Sequence, residues 1–312
     1  MSDSVTPIVV RSDAAATARA GVFYGLAAYL SWGVAPLYFK VVIRHASAWE
    51  VLAHRVLWSS VFLLGLIVIR GQGAALRRAL FQAPRVLLVL IFTTMLISVN
   101  WFVFIWVHET DQVLQASLGY FINPLLSVVL GFVILRERLR RMQTASAVIA
   151  ALGVAYLTIE SGEVPALALL LACTFAAYGL IRKLVAVEAM VGLTVETLIL
   201  APLCMAYLAW VGWRGEGAFG VQSRQTDALL LAGGIITALP LLWFTCAARR
   251  LRLVTVGFLQ YLAPSGQFLI AVLIFDEPLS RAQLGSFIII WIALAIYSID
   301  AWRAARRRNG VI

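Results

Sequence analysis

The stretch Gln115–Leu139, QASLGYFINPLLSVVLGFVILRERL, decides the architecture. It reads as a membrane-crossing helix with a proline at its centre and an acidic residue at its exit. The chain contains it twice. Thr255–Leu279, TVGFLQYLAPSGQFLIAVLIFDEPL, aligns with it at an offset of 140 residues. Pro124 falls on Pro264, Ile134 on Ile274, Glu137 on Glu277 and Leu139 on Leu279. Downstream, Arg141 matches Arg281, Gln143 matches Gln283, Ser146 matches Ser286 and Ile149 matches Ile289, which makes eight identities in 35 ungapped positions. A fixed offset near half the chain length marks an internal duplication.

Working outward, the composition sets the class. Of 312 residues, 62% are hydrophobic and 13% charged, with a mean hydropathy of +0.93. Soluble domains are nearer half apolar and a quarter charged. A bilayer core needs roughly 20 apolar residues per helix, and ten runs qualify: near 21–43, 50–69, 86–107, 113–135, 142–160, 164–182, 191–212, 227–248, 253–275 and 282–300. The expected fold is an all-α polytopic membrane protein, with ten transmembrane helices as two inverted five-helix repeats. Residues 1–20 are expected as a polar N-terminal tail, 21–160 as the first repeat, 161–302 as the second and 303–312 as a basic C-terminal tail.

The net charge of +10 does not point to nucleic acid, because the basic residues cluster in the gaps between apolar runs. Such charges orient membrane proteins. With the N-terminus inside, the inner segments hold 19 Lys and Arg and the outer loops hold 5. Both tails are therefore expected to be cytoplasmic. Five helices per repeat is an odd number, so the two halves enter from opposite faces. Many secondary transporters have this design, with the site near the midplane at the repeat interface.

Proline in a helix leaves the carbonyl four residues back without its donor. For Pro124 and Pro264 those carbonyls belong to Tyr120 and Gln260. In a bilayer they must be satisfied by protein or line a wet cavity. The plain alternative is a packing kink. Asn123 beside the first proline, and Gln260, Tyr261 and Gln267 around the second, favour a cavity. Trp32, Asn100, Trp101, Tyr178 and Trp243 are candidate aromatic and polar walls, although membrane Trp and Tyr more often form interfacial belts. Arg55 and Glu196, ionisable groups within spans, are candidates for coupling or for lining a vestibule. Topology places them near opposite faces, so they are not expected to pair. Glu50 and His54, four apart, are placed as a local pair at the outer edge. Glu137 and Glu277 are expected as solvated loop acids.

Enzyme signals are missing. GxxxxGK[ST], HExxH and GxSxG are all lacking, and His45, His54 and His108 have no metal-ligand spacing. Cys173, Cys204 and Cys246 lie in apolar runs without a CxxC. No cofactor, no metal and no catalytic residue is expected.

Taken together, WGVAPLYFK at 32–40, AHRVLWS at 53–59, NWFVFIW at 100–106, SLGYFINPL at 117–125, ERLRR at 137–141, LTVETLILAP at 193–202, TALPLLWF at 237–244, LQYLAP at 259–264 and EPLS at 277–280 carry a resemblance. The chain resembles the EamA family of the drug/metabolite transporter superfamily, in its RarD-like branch, over nearly its whole length. The resemblance implies ten helices, cytoplasmic termini, a bacterial inner-membrane location and movement of small metabolites or drugs, mostly outward. It fixes no substrate; amino acid-like, aromatic and drug-like solutes all stay open. So do proton coupling through Glu196 and the choice between monomer and homodimer. The acidic turn HETD at 108–111 departs from the branch. A non-transporting scaffold or partner subunit is the competing class, and it has no need of paired midplane kinks.

Overall fold

The computed structural model describes residues 8–109, 113–162, 166–276 and 280–308. Every regular element among them is a helix. The first six are α1 Ile8–Val42, α2 Ala48–Ile69, α3 Gly73–Phe81, α4 Pro84–Glu109, α5 Val113–Val133 and α6 Arg141–Ser161. The second six are α7 Ala166–Leu184, α8 Ala189–Trp213, α9 Arg224–Arg250, α10 Leu253–Gln260, α11 Leu262–Leu273 and α12 Arg281–Arg308. Among the described residues nine helical stretches are long and apolar enough to cross a bilayer, and Gly119–Val133 in α5 is a shorter tenth. In such a medium each helix satisfies its own backbone. Local chemistry sets the ends. Ser47 Oγ accepts from Glu50 N at 3.2 Å to start α2, and Ser223 Oγ accepts from Thr226 N at 3.1 Å to start α9. Gly162, with φ 68°, ends α6 in the left-handed conformation that glycine adopts without strain.

Two elements add to the sequence expectation. The stretch from Ile8, within the segment expected as tail, is helical and continuous with the rest of α1. The basic gap after α2 contains α3, nine residues long, which packs on α8.

The duplication is visible in the geometry. Arg136 and Asp276, 140 apart, both have φ 52°. Leu130 O accepts from Ile134 N at 2.9 Å and Leu135 N at 3.3 Å; Ile270 O accepts from Ile274 N at 3.0 Å and Phe275 N at 3.1 Å. Gln143 Oε1 accepts from Arg140 N at 3.1 Å, and Gln283 Oε1 accepts from Ser280 N at 3.2 Å. Conserving Gln through the duplication thus keeps the start of α6 and α12 capped.

Packing obeys the same exchange. The closest helix pairs are α1–α9 with α4–α7, α1–α11 with α5–α7, and α2–α9 with α4–α8, each pair mapped onto the other by swapping the halves. The pairs α2–α8, α5–α10 and α6–α12 map onto themselves. All of these join a helix of the first half to one of the second, so the halves interleave. At the α1–α11 crossing a Cβ on Gly266 would stand 3.0 Å from Gly33 Cα, so the two backbones touch.

The two prolines have different outcomes. The second copy breaks: α10 ends at Gln260, and Tyr261 N reaches back only to Phe258 O at 3.3 Å. The first copy does not break, because α5 continues through Pro124. The Pro124 carbonyl packs against Gly257 of α10, where a Cβ would come within 2.7 Å of it.

Candidate functional site

A cavity of about 790 Å³ lies between α1, α2, α4, α5, α7, α9, α10, α11 and α12, within the ~300–1,000 Å³ range of ligand pockets. Its aromatic wall is Trp32, Phe39, Trp101, Phe104, Tyr120 and Phe175. Polar groups project from every side: Asn100, Asn123, Thr237, Gln260 and Gln267. Its charged lining residues are Arg55, Lys40 and Arg44, and no acidic residue among the described ones lines it.

All of these polar groups except Asn123 are positioned by a specific partner. Asn100 Nδ2 donates to Leu171 O at 2.8 Å and Thr174 Oγ1 at 3.0 Å, pinning α4 to α7. Ser127 Oγ donates to Gln260 Oε1 at 3.1 Å, pinning α5 to α10. Gln267 Nε2 donates to Trp32 O at 3.1 Å. Pro36 stands four residues after Trp32 inside α1, so it cannot bond that carbonyl. Gln267 therefore satisfies a carbonyl that Pro36 leaves free. Asn123 Oδ1 is buried without a partner among the described residues. Arg55 Nε donates to Thr237 Oγ1 at 2.7 Å, and its guanidinium lies 4.9 Å from the Phe39 ring and 5.9 Å from Trp101.

Lys40, Arg44, Ala48 and Gln283, at the α1 C-terminus and the starts of α2 and α12, line the mouth. Lys40 Nζ lies 3.4 Å from the Phe275 ring. The opposite end is tied shut. Lys183 Nζ donates to Ala248 O at 2.8 Å and also to Leu251 O, while Arg249 Nη1 donates to Val185 O at 3.1 Å and to Val187 O. Glu137 accepts Leu253 N at 2.7 Å and Val254 N at 3.0 Å. Beneath these ties sits a buried ion pair. Arg182 is 0% and Glu196 2% exposed, with Arg182 Nε 3.6 Å from Glu196 Oε1. Thr93 Oγ1 donates to Glu196 Oε1 at 2.5 Å and the Tyr178 hydroxyl to Oε2 at 3.0 Å.

Of the residues singled out from sequence, Trp32, Arg55, Asn100, Trp101, Tyr120, Asn123, Gln260, Pro264 and Gln267 line the cavity. Tyr178 does not. It is fully buried behind Phe175 and stacks on Phe244 at 6.2 Å. Tyr261 is one residue round the helix from Gln260 and packs with Phe121 and Phe287. Trp243 sits on another face, in a shallow groove with Ser31, Val34 and Ile235. Pro124 contacts α10. Glu196 neither lines the cavity nor reaches an interface, because Arg182 holds it in place. Arg182, a basic residue near the end of α7, thus belongs to the core and not to a loop. Arg55 and Glu196 do not pair, as topology required. Glu50 and His54 do approach, to 3.8 Å, and Glu50 also accepts Ala218 N at 2.8 Å. Glu137 is a helix cap, not a solvated acid. Glu277, Gln115 and the 108–111 turn fall outside the residues whose side chains are described. Sequence reasoning missed Phe39, Phe175 and Thr237. It also missed Pro36, which was visible as a proline four residues after a tryptophan carbonyl.

The model of the EamA-like transporter family matches residues 19–159. The chain is 44% identical to Protein RarD of Escherichia coli (strain K12) over 291 residues, 93% of this chain and 98% of that one. It is 39% identical to the uncharacterized transporter YojE of Bacillus subtilis (strain 168), covering 94% and 99% of the two chains. It is 32% identical to the chloramphenicol-sensitive protein RarD of Pseudomonas aeruginosa, covering 93% and 98%. A solved structure described as "Crystal structure of protein" shares the fold with a TM-score of 0.68 at 18% identity, over 90% of this chain and 98% of that one.

Proposed function

The chain belongs to the EamA-like transporter family, and from that premise we propose that it carries small, partly apolar organic solutes across the bacterial inner membrane by alternating access. One observation carries the reading. A cavity, open at one end and tied shut at the other, lies where the two halves cross. The 19-to-5 asymmetry of Lys and Arg supports a cytoplasmic sealed end and cytoplasmic tails at both termini. The state is then outward-facing. The matched span of 19–159 is one repeat long, which supports division into repeats at 21–160 and 161–302. Because the halves interleave, the moving bodies are mixed sets of helices, and the two halves do not rock against each other as separate lobes.

In this scheme Tyr120 and Gln260, equivalent through the duplication, face the solute from the neighbouring helices α5 and α10, with Asn123 and Gln267 on the same wall. Trp32 and Trp101 supply flat apolar surface. Glu196 acts on the closed end and not on the solute. A scaffold would have no use for a cavity sealed at one end only.

Counterflow in proteoliposomes tests the proposal without any assumed coupling ion. Accumulation of a labelled solute against its own unlabelled pool is expected. Gln260→Ala and Tyr120→Ala, purified with unchanged elution profiles, are expected to abolish it. No flux from folded protein over a broad panel of amino acids, aromatic metabolites and chloramphenicol would move the assignment to a non-transporting role.

A further inference from the structure

Resting on that reading, we infer that the cavity selects organic monoanions, an aromatic or branched apolar body carrying one carboxylate, and that Arg55 is the residue that receives the carboxylate. Arg55 begins about five residues, or ~8 Å, into the helix from the outer edge of the second apolar run, taking ~1.5 Å per residue. A cation at such depth is costly unless it is paired. Yet no carboxylate among the described residues lies within ion-pairing distance of it. The titratable side chains that act on its charge are the hydroxyls of Tyr38 and Tyr120. Its Nε is used by Thr237. The two terminal nitrogens have no hydrogen-bond partner in the described structure, and neither is fully buried. They face the cavity as an open fork, the geometry that binds a carboxylate with two parallel hydrogen bonds.

The surroundings complete the site. Phe39 and Trp101 flank the guanidinium and offer surface for the apolar body of the solute. Lys40 and Arg44 at the mouth have the same sign and raise the local concentration of anions. Lys40 lies over the Phe275 ring at the mouth, whereas Arg55 sits deeper beside Trp101 and Thr237, so Arg55 is the main determinant. The absence of acidic lining residues has a second consequence. A zwitterionic amino acid would bury its ammonium group without a partner, so the deaminated acid is favoured over the amino acid of the same skeleton. The unpartnered Asn123 Oδ1 offers an ammonium group only a neutral acceptor.

The test is a matched series on the purified full chain. Quenching of tryptophan fluorescence, to which Trp32 and Trp101 respond, is titrated with 3-phenylpropionate, its amide, phenylalanine and benzylamine. The same four are run in counterflow. The acid is expected to bind at least ten-fold tighter than its amide and than phenylalanine, in keeping with a charge-assisted pair of bonds, and benzylamine not at all. Arg55→Gln is expected to abolish the acid-over-amide preference. Arg55→Lys, which retains charge without the fork, should retain part of it and also guards against misfolding of the glutamine variant. Equal binding of acid and amide, tighter binding of the amine, or a preference that survives Arg55→Gln would overturn the inference. Silence of all four probes would overturn it too. Counterflow of some neutral or cationic solute in the same vesicles would then leave the carrier reading standing.

Discussion

Glu196→Leu and Arg182→Met should destabilise the protein unequally, and together they should nearly cancel. Arg182 is 0% exposed, has Glu196 as its acidic partner at 3.6 Å and donates Nη2 to Ala189 O at 2.9 Å. Glu196→Leu leaves a guanidinium that cannot lose its proton buried without a counter-charge. Removing one member of such a pair costs ~3–5 kcal/mol. Arg182→Met leaves a carboxyl group that still accepts from Thr93 and Tyr178. That group can bind a proton and become neutral, so the cost is smaller, ~1–3 kcal/mol. The double variant replaces both charges by apolar volume and should lie within about 1 kcal/mol of the parent, as buried pairs exchanged for packed hydrophobes often do. The assay is thermal unfolding in detergent followed by tryptophan fluorescence. With ~2–4 °C per kcal/mol for chains of comparable size, Glu196→Leu should lower the apparent Tm by roughly 10 °C. Arg182→Met should lower it about half as far, and the double variant hardly at all. If the two single variants are equally destabilised, or their effects add in the double, the pair is not the closed-end lock described above.

Three further outcomes follow from the same geometry. Gln267→Leu removes the donor to Trp32 O and should cost ~1–3 kcal/mol; Pro36→Ala restores a backbone N–H to that carbonyl, so Pro36→Ala should rescue thermal stability in the Gln267→Leu background. Glu137→Ala removes the cap of α10 and should cost ~0.5–2 kcal/mol, with faster hydrogen exchange confined to the amides of Leu253 and Val254; unchanged exchange there would refute the capping role. Gly266→Val drives a side chain into Gly33 and should lower the apparent Tm by an amount matching ~1–3 kcal/mol, whereas the same change at Gly212, which has open space, should not.

The spans, the duplication and the charge asymmetry were legible because each is a property of composition or of identity at a fixed offset. Nine of the fourteen site candidates line the cavity. Five of them, Tyr120, Asn123, Gln260, Pro264 and Gln267, do so because each proline and its polar neighbours share a helix face. Trp32, Arg55, Asn100 and Trp101 do so because aromatic, amide and charged groups deep in a span are seldom turned to lipid. The failures have one physical root: sequence gives the period of a helix but not its rotation. Tyr261 and Gln260 are adjacent and equally polar at the tip, yet about 100° of rotation sends one into the core and the other into the cavity. Tyr178 and Glu196 looked like site residues because buried polarity in a membrane is rare; the partner that explains them, Arg182, looked like an ordinary basic residue at a helix end. The duplication also overstated symmetry. Pro124 and Pro264 are equivalent in sequence, but only the helix containing Pro264 breaks.

Interleaving has a consequence for how the protein is made. Apart from looser neighbours such as α5–α6, the tightest partners of α1 to α6 all lie in α7 to α12. During synthesis the first half therefore waits in the bilayer as separately inserted helices, with its glycine and polar faces unmatched, until the second half arrives. A chain truncated after α6 should be recognised by membrane quality control as an orphan. Two halves expressed from separate genes should reassemble only when both are present, each acting as the folding template of the other.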